Sequence, residues 1–452
     1  MTRRNNPLAV LGRTHTVVFV LARWLARHPP PGPFRRNFWR SPIRGPWLTS
    51  VLGVVLLVGF TVVFLTGLFS YAAYNPWLGG GFNNDPTPGK GLLGYYLFGW
   101  PTRPTWLYWL NQGLHVTLGL ALIPVVFGKL WSVLPKLFEW PPVRSPAQAV
   151  ERVSLLLLVG STVFELVTGV MNIQYFYAWP FSFYQAHFYG AWVFIAAMVV
   201  HVAVRTRRVV TALRGRSLRT ELRTGVAATV PEPPDPDHLV SPDPAPPTIS
   251  RRGALGLVTA SSLTLVGLSV GQTLGGATRS TALLSPRGQT VGEGPNAFQV
   301  NKTAALAGIT PPMTGPGWRL ELRGASSTTL SLADLLAMPQ HTAELPIACV
   351  EGWSTGVQSW SGVRLVDLAR SVGADADASD VLVESLQPGG AFGSAVLAAN
   401  QIRDPLSLLA LRVNGADLSL DHGFPARVIV PAAPGVHNTK WVSRMTFSPG
   451  RT

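Results

Sequence analysis

Long apolar runs alternate with short charged ones over the first 280 residues, and then the pattern changes. Gly45 to Asn84 carries no charge and contains VLGVVLLVGFTVVFLTGLF. Pro104 to Gly128 carries none. Val153 to Val204 carries one, Glu165, and is long enough for two spans joined by YFYAWPFSFY; Gly253 to Thr278 carries none. A helix crossing a bilayer needs about 20 apolar residues, so the pattern predicts five spans. From about Val291 the periods shorten. Trp318, Leu320 and Leu322 alternate as in a strand, and so do Val381 and Val383; Arg427 to Val430 reads as another strand. Ser331 to Asp334 has the form of a capping box opening a short helix before Pro339. Leu365, Leu368, Ala369 and Val372 mark a second helix that stops at Gly373. The expected fold is an all-α transmembrane bundle of four helices plus a fifth anchoring span, followed by an α+β domain.

Charge orients this arrangement. The chain is 47% hydrophobic and 13% charged, with net charge +15. Residues 279–452 hold 13 basic and 13 acidic side chains, so the whole excess lies in residues 1–278. Basic excess beside apolar runs marks a membrane and argues against a nucleic-acid partner. Residues 1–44 hold nine arginines and no acid, and residues 205–223 hold seven arginines. Lys129, Lys136, Arg144 and Arg152 lie between the second and third runs, whereas the opposite side has only Lys90 and Arg103. The positive-inside rule then puts the N-terminus in the cytoplasm and the C-terminal domain outside it, in a multi-pass protein of the cell membrane. Residues 1–44 lack the apolar core of a cleavable signal, and His15 to Leu25 reads as a short interfacial helix.

The domain reading is residues 1–44, a basic cytoplasmic segment; 45–208, the four-helix bundle; 209–250, a basic and then Pro-rich linker; 251–278, the fifth span; and 291–452, the outer domain. EPPDPDHLVSPDPAPP is acidic and Pro-rich, so the linker is expected to be extended and unpacked. Ser250-Arg251-Arg252-Gly253-Ala254-Leu255 resembles a twin-arginine export signal, which would make the export machinery a partner; it reads equally as a basic flank.

The most specific stretch is PIACVEGWSTGVQSWSGVRLVDL, from Pro346 to Leu368. Cys349 is the only cysteine, so it closes no internal disulfide. Its thiol is a small buried group, a nucleophile or a soft metal ligand. The run resembles the sulfite-oxidase family of molybdopterin enzymes, nearest to the periplasmic branch that includes the methionine-sulfoxide reductase catalytic subunit. That resemblance implies that Cys349 gives its thiolate to molybdenum. A second block matches the same family: Asp404 to Ala410, Asn414 to Leu418, Asp421-His-Gly-Phe-Pro-Ala-Arg427, Gly435 and Lys440-Trp441. It implies that His422, Arg427 and Lys440 bind the pterin, with His437 at a position where many relatives have arginine. Arg and Lys suit the phosphate that the pterin carries. The loop Gln387 to Phe392 lacks the family's aspartate, which leaves the substrate open.

Histidines punctuate the spans. His115 lies in the second, and His187 and His201 lie near the two ends of the fourth. Fourteen residues turn a helix through about 1400° and rise about 21 Å, so His187 and His201 share one face, one near each membrane surface. That geometry suits two haems stacked across a bilayer. The region resembles the di-haem cytochrome b subunits of formate dehydrogenases and hydrogenases. The resemblance implies an outer haem b on His115 and His187 and a second on His201, whose partner would be His15 or His28. Glu165, the one acid within a span, fits proton or quinone handling or a local hydrogen bond.

Two classes of function follow. One is a membrane-bound oxidoreductase that uses molybdopterin and haem b to exchange electrons between the quinone pool and a small sulfur-containing or oxo substrate, reducing S-oxides or oxidising a sulfite-type substrate. The other is a non-catalytic binding domain on a membrane anchor.

Overall fold

The computed structural model describes residues 28–74, 98–142, 145–287, 291–377, 379–389 and 393–449. The segment expected as an interfacial helix, His15 to Leu25, lies outside them. Four long helices come first: α1 (Pro46–Ala73), α2 (Leu107–Leu137), α3 (Pro146–Ile173) and α4 (Phe183–Gly215). A short α5 (Leu218–Arg223), then α6 (Arg251–Ser269) and α7 (Gly271–Leu274), follow. Among the described residues five helices are long and apolar enough to cross a membrane, α6 and α7 forming the fifth. Val58, Phe127, Leu156, Val204 and Leu257 point outward and are exposed, as side chains facing lipid would be.

Contacts divide the chain into two compact units. The first comprises residues 1–58, 122–162 and 193–262. Many of its charged side chains form a paired network. Asp237 accepts from Lys136 at 2.6 Å, Arg205 at 2.7 Å and Arg208 at 2.6 Å, and Glu151 pairs with Lys136 and Arg205. Arg251 is buried, with Glu221 at 3.4 Å and Glu232 at 3.7 Å, and donates to Pro42 O at 3.2 Å. Glu232 also accepts from the backbone N–H of Trp47 at 2.9 Å, in the first turn of α1, where unsatisfied donors favour a carboxylate. The expected unpacked linker is therefore corrected. Residues 224–250 have irregular backbone, but Glu232, Leu239 and Ser241 are buried, because the linker's acids are the counter-ions of this basic face.

The second unit comprises residues 59–121, 163–192 and 263–452. Its last part holds two sheets. One has the order β2-β1-β10-β5-β6, built from β1 (Leu320–Arg323), β2 (Ser327–Leu330), β5 (Ser379–Ser385), β6 (Ser394–Leu397) and β10 (Val442–Pro449). The other has the order β3-β4-β7-β8, built from β3 (His341–Ala348), β4 (Ser354–Arg364), β7 (Leu408–Val413) and β8 (Ala416–Asp417), with β9 (Arg427–Ile429) on β7. Alternation drives the packing: along β5, Val381 and Val383 are fully buried while Leu382 and Asp380 are half-buried. α8 (Leu332–Ala337) opens with the Ser331–Asp334 capping box, both of its bonds present. α9 (Leu365–Ser371) buries Leu365, Leu368 and Ala369 and ends before Gly373, whose φ of +68° suits a helix stop. α10 (Ala399–Arg403) follows β6. Leu320, Leu322, Leu335, Val363 and Val428 make a core with no exposure, each side chain contributing about 1.5–3 kcal/mol of burial.

Candidate functional site

β3 ends where its sequence makes it end. Pro346 has no N–H to give the ladder, and the β3–β4 register shifts between Pro346 and Ala348. Cys349 to Trp353 then close a tight hairpin. Cys349 N–H donates to Trp353 O at 3.0 Å, and Gly352 N–H to Cys349 O at 3.0 Å. Gly352 has φ +85°, a conformation that needs glycine. So held, Cys349 lines a small cavity together with Gln299, Trp353, His422, Arg427 and Lys440. Burial, and then Glu351 beside it, push the thiol well above its ordinary value. Alone it stays protonated; a bound cation reverses that and takes the thiolate.

The two cations in this cavity have no carboxylate partner among the described residues. Arg427 donates to the carbonyls of His422 at 3.0 Å and Asn438 at 3.2 Å, and its buried Nε meets no partner. Lys440 donates to the carbonyls of Lys302 at 2.5 Å and Asp421 at 2.9 Å. Burial lowers Arg427 to about 9 and Lys440 well below its ordinary value. Buried charge of one sign, held by neutral carbonyls, is costly until an anion arrives. This donor set fits a pterin phosphate.

His422 stacks on Phe298, ring centroids 3.7 Å apart, and its Nε2 lies 2.9 Å from Asn296 O. Burial takes it down to about 4, so it lines the cavity as a neutral ring. His437 is fully buried beside Gln401, with Nδ1 3.2 Å from Nε2 of that amide. It does not line the cavity; Gly435, two residues earlier, does.

Helix packing brings two of the three membrane histidines together. His115 on α2 and His187 on α4 face each other with ring centroids 6.3 Å apart and planes at 81°. Two metal–imidazole bonds of about 2 Å, plus the two ring half-widths, come to about 6 Å, so the spacing would leave room for one metal ion between the two imidazoles. Their outer nitrogens are occupied. His115 Nδ1 lies 3.0 Å from Val63 O and 3.1 Å from Thr66 Oγ1. His187 Nδ1 lies 3.1 Å from Glu165 Oε2 and 3.0 Å from Thr168 Oγ1. Each threonine hydroxyl donates back to its own helix, so its oxygen accepts. Acceptors surround both Nδ1 atoms; these carry the protons, and each Nε2 keeps a lone pair. Among the described residues no three His, Cys, Asp or Glu side chains converge on a bare ion. A metal bound here has to bring most of its own ligands, as haem does. Gly67 and Gly169 leave open edges beside the rings: a Cβ would stand 3.2 Å from His115 Cε1 and 3.4 Å from His187 Cε1.

His201 is not part of that pair. It belongs to the first unit, where Lys129, Arg205 and Lys136 are the cations in electrostatic reach. Lys129 Nζ donates to Thr49 O at 2.6 Å. His28 is exposed, and His15 lies outside the described residues. The partner of Glu165 is His187, which no sequence pattern indicated. Gly190 makes room for it: a Cβ there would stand 2.1 Å from Glu165 Oε1.

Residues 307–451 match the family described as oxidoreductase molybdopterin binding domain. The mitochondrial sulfite oxidase of Drosophila melanogaster is 32% identical over 163 residues, 30% of this chain and 28% of that protein. The Bacillus subtilis oxidoreductase YuiH is 30% identical over 29% of this chain and 65% of its own length. A chain of Azospira oryzae named as subunit YedZ1 of a protein-methionine-sulfoxide reductase is 32% identical over 28% of this chain and 48% of its own length. The chain spans less than a third of the length of the mitochondrial sulfite oxidases it matches. The lone cysteine, the uncompensated cations and these matches fall on one domain: residues 307–451 form an oxidoreductase molybdopterin-binding domain of the sulfite-oxidase type, joined to a chain with five apolar helices.

Proposed function

We propose that this chain is a membrane-bound molybdopterin-dependent oxidoreductase that draws electrons from quinol and reduces an S-oxide on the outer side of the cell membrane. Its N-terminus lies in the cytoplasm and residues 291–452 lie outside. The observation that carries the reading is the cavity, where one thiol and two unneutralised cations meet. Cys349 supplies the thiolate to molybdenum. Arg427 and Lys440 hold the pterin phosphate, His422 gives the ring a neutral wall, and His437, packed on Gln401, shapes the backbone at Gly435. When bound, molybdenum supplies two-electron oxygen-atom exchange. His115 and His187 hold one haem b, and Thr66, Thr168 and Glu165 fix their tautomers. With Lys129 and Arg205 near His201, the reading has one haem, not two. Reduction of the S-oxide takes two electrons and two protons and releases the sulfide and water; oxidation of one quinol supplies both.

Two names among the relatives pull in different directions: sulfite oxidase, and methionine-sulfoxide reductase subunit. The likeness to the Azospira oryzae methionine-sulfoxide reductase subunit favours reduction. The test is metal analysis with a reduced-minus-oxidised spectrum, followed by addition of sulfoxide or sulfite. Molybdenum and b-type haem in the parent, with reduced haem re-oxidised by sulfoxide, is the expected result. Haem reduced by sulfite would reverse the direction, and absence of molybdenum would leave a binding domain. His115→Ala and His187→Ala should each abolish the b-type absorbance, and His201→Ala should leave it. Cys349→Ser should keep molybdopterin and haem while turnover falls to background.

A further inference from the structure

The Cys349 hairpin rests on the same helix that carries His115. Along α2, Tyr108, Gln112 and Val116 recur every fourth residue and form one stripe. Gln112 Nε2 donates to Val350 O at 2.5 Å. Val116 packs on Gly352 so closely that a Cβ there would stand 2.8 Å from Val116 Cβ. Tyr108 is buried in one cluster with Ala348, the residue before the cysteine, and with Ala72 and Ala73 at the end of α1. A second support comes from α7. Thr273 Oγ1 donates to Gly352 O at 2.6 Å, and Trp109 Nε1 on α2 donates to Thr273 O at 2.6 Å. Gly113 lets the two approach, since a Cβ there would stand 2.2 Å from Thr273 Cγ2. His115, one residue before Val116, points the other way, to Thr66 on α1 and His187 on α4.

We infer that the Gln112–Val116 stripe of α2 is the electron-transfer joint of this chain, a fixed route from the His115 imidazole to the Cys349 hairpin. One branch runs along the backbone to Val116 and crosses a single van der Waals contact to Gly352. The other leaves through the Gln112 amide to the carbonyl of Val350, one residue from the cysteine. The route uses no domain swing, because hairpin and helix are already in contact. This rests on the functional reading above. For each turnover two electrons cross the joint one after the other; with two protons they convert an S-oxide to a sulfide and water, and one quinol becomes quinone.

The test uses the full chain with both cofactors, carrying Gln112→Leu or Val116→Ala. Three quantities are read: re-oxidation of dithionite-reduced haem by dimethyl sulfoxide, turnover driven by a reduced viologen dye that feeds the outer domain directly, and amide exchange at residues 350–353 in cofactor-free protein. The expected result is a several-fold slower haem re-oxidation with dye-driven turnover and both cofactor contents unchanged, and faster amide exchange in Gln112→Leu. Unchanged haem re-oxidation in both variants would overturn the inference. So would an equal loss of both activities, since the stripe would then only hold the site together. If the parent's reduced haem is not re-oxidised by sulfoxide, the functional reading itself fails, and the inference with it.

Discussion

Two regions of this molecule bury cations, and they treat them oppositely. In the first unit Arg251 is enclosed with Glu221 and Glu232, and Lys136 and Arg205 share Asp237 and Glu151. In the cavity of the outer domain Arg427 and Lys440 are also buried but meet carbonyl oxygens and the Trp360 and Trp441 rings, with no carboxylate among the described residues. Buried charge alone therefore does not mark a site, and missing counter-charge does so only in company. Arg44 of the first unit is also buried without a carboxylate among the described residues, held by Trp131 O and the Trp39 and Trp131 rings, but no thiol or cavity stands beside it. The first arrangement is complete by itself and serves the fold. The second is incomplete until an anionic ligand enters, and it stands beside the one thiol of the chain. The comparison also accounts for the Arg251-Arg252 pair, half of which has a structural task in the finished protein whatever the export route.

The largest effect that could break this contrast lies in the first unit. Arg251→Met takes the paired cation from buried Glu232 and leaves Glu221 with Arg216 alone, and losing one partner of a buried pair costs about 3–5 kcal/mol. The melting temperature in detergent should fall sharply, with or without molybdopterin. A neutral outcome would mean that the cluster is not structural. Lys440→Met is the mirror experiment. It removes a charge that the cofactor-free chain pays to bury, so that form should be as stable as the parent or more so. Loss of a charge-assisted bond of about 1.5–3 kcal/mol should weaken molybdopterin binding by about tenfold to a hundredfold. Molybdenum per chain and the melt of the cofactor-free form decide it. If that form loses stability as Arg251→Met does, the two regions are alike after all. Arg427→Ala should lower molybdopterin content in the same way.

What was legible in the sequence was whatever repeats or stands alone. The spans follow from uninterrupted apolar runs, the Ser331 cap and the Val381 strand from local spacing, and Cys349 from being single within a dense motif. His115 and His187 were paired through the resemblance to cytochrome b subunits, whereas helix arithmetic related only His187 and His201, which lie on one helix. Partnerships across long separations were not legible. Gln112 and Val350 are 238 residues apart, and neither carries a local signal of the other. Glu165 reaches His187 only because Gly190 lets α3 and α4 approach. The linker misled for the opposite reason. Its prolines and acids match the composition of a solvated tether, yet Asp237 and Glu232 find cations and a helix start that lie far off in sequence.

Acid should separate the two regions, with the smallest effect per step and the most specific signature. Burial holds His437 down at about 3 and His422 down at about 4, against 6.5 in an unfolded chain. Below 6.5 the unfolded chain takes protons that the folded domain refuses, so stability falls as pH drops from 6.5 toward those values. Each group contributes at most about 1.4 kcal/mol per pH unit. Asp237 behaves in the other sense. Burial opposes its charge, but the bonds from Lys136 and Arg205 prevail and hold it well below the usual carboxylate range. Its contribution is intact above 3.8 and is lost only as pH falls below that. Between 6.5 and about 4, then, the outer domain loosens while the ion pairs of Asp237 stay intact. Amide exchange, normalised to the intrinsic rate at each pH, should show loss of protection around Arg427–Ile429 and Gly435–His437 at about pH 5, with residues around Asp237 unchanged. His437→Gln should flatten the outer domain's response, because an amide of similar size has no proton to take up. Loss of protection at both places together would mean that the units unfold as one. In that case the contrast between paired and unpaired cations would govern ligand binding and leave no mark on local stability.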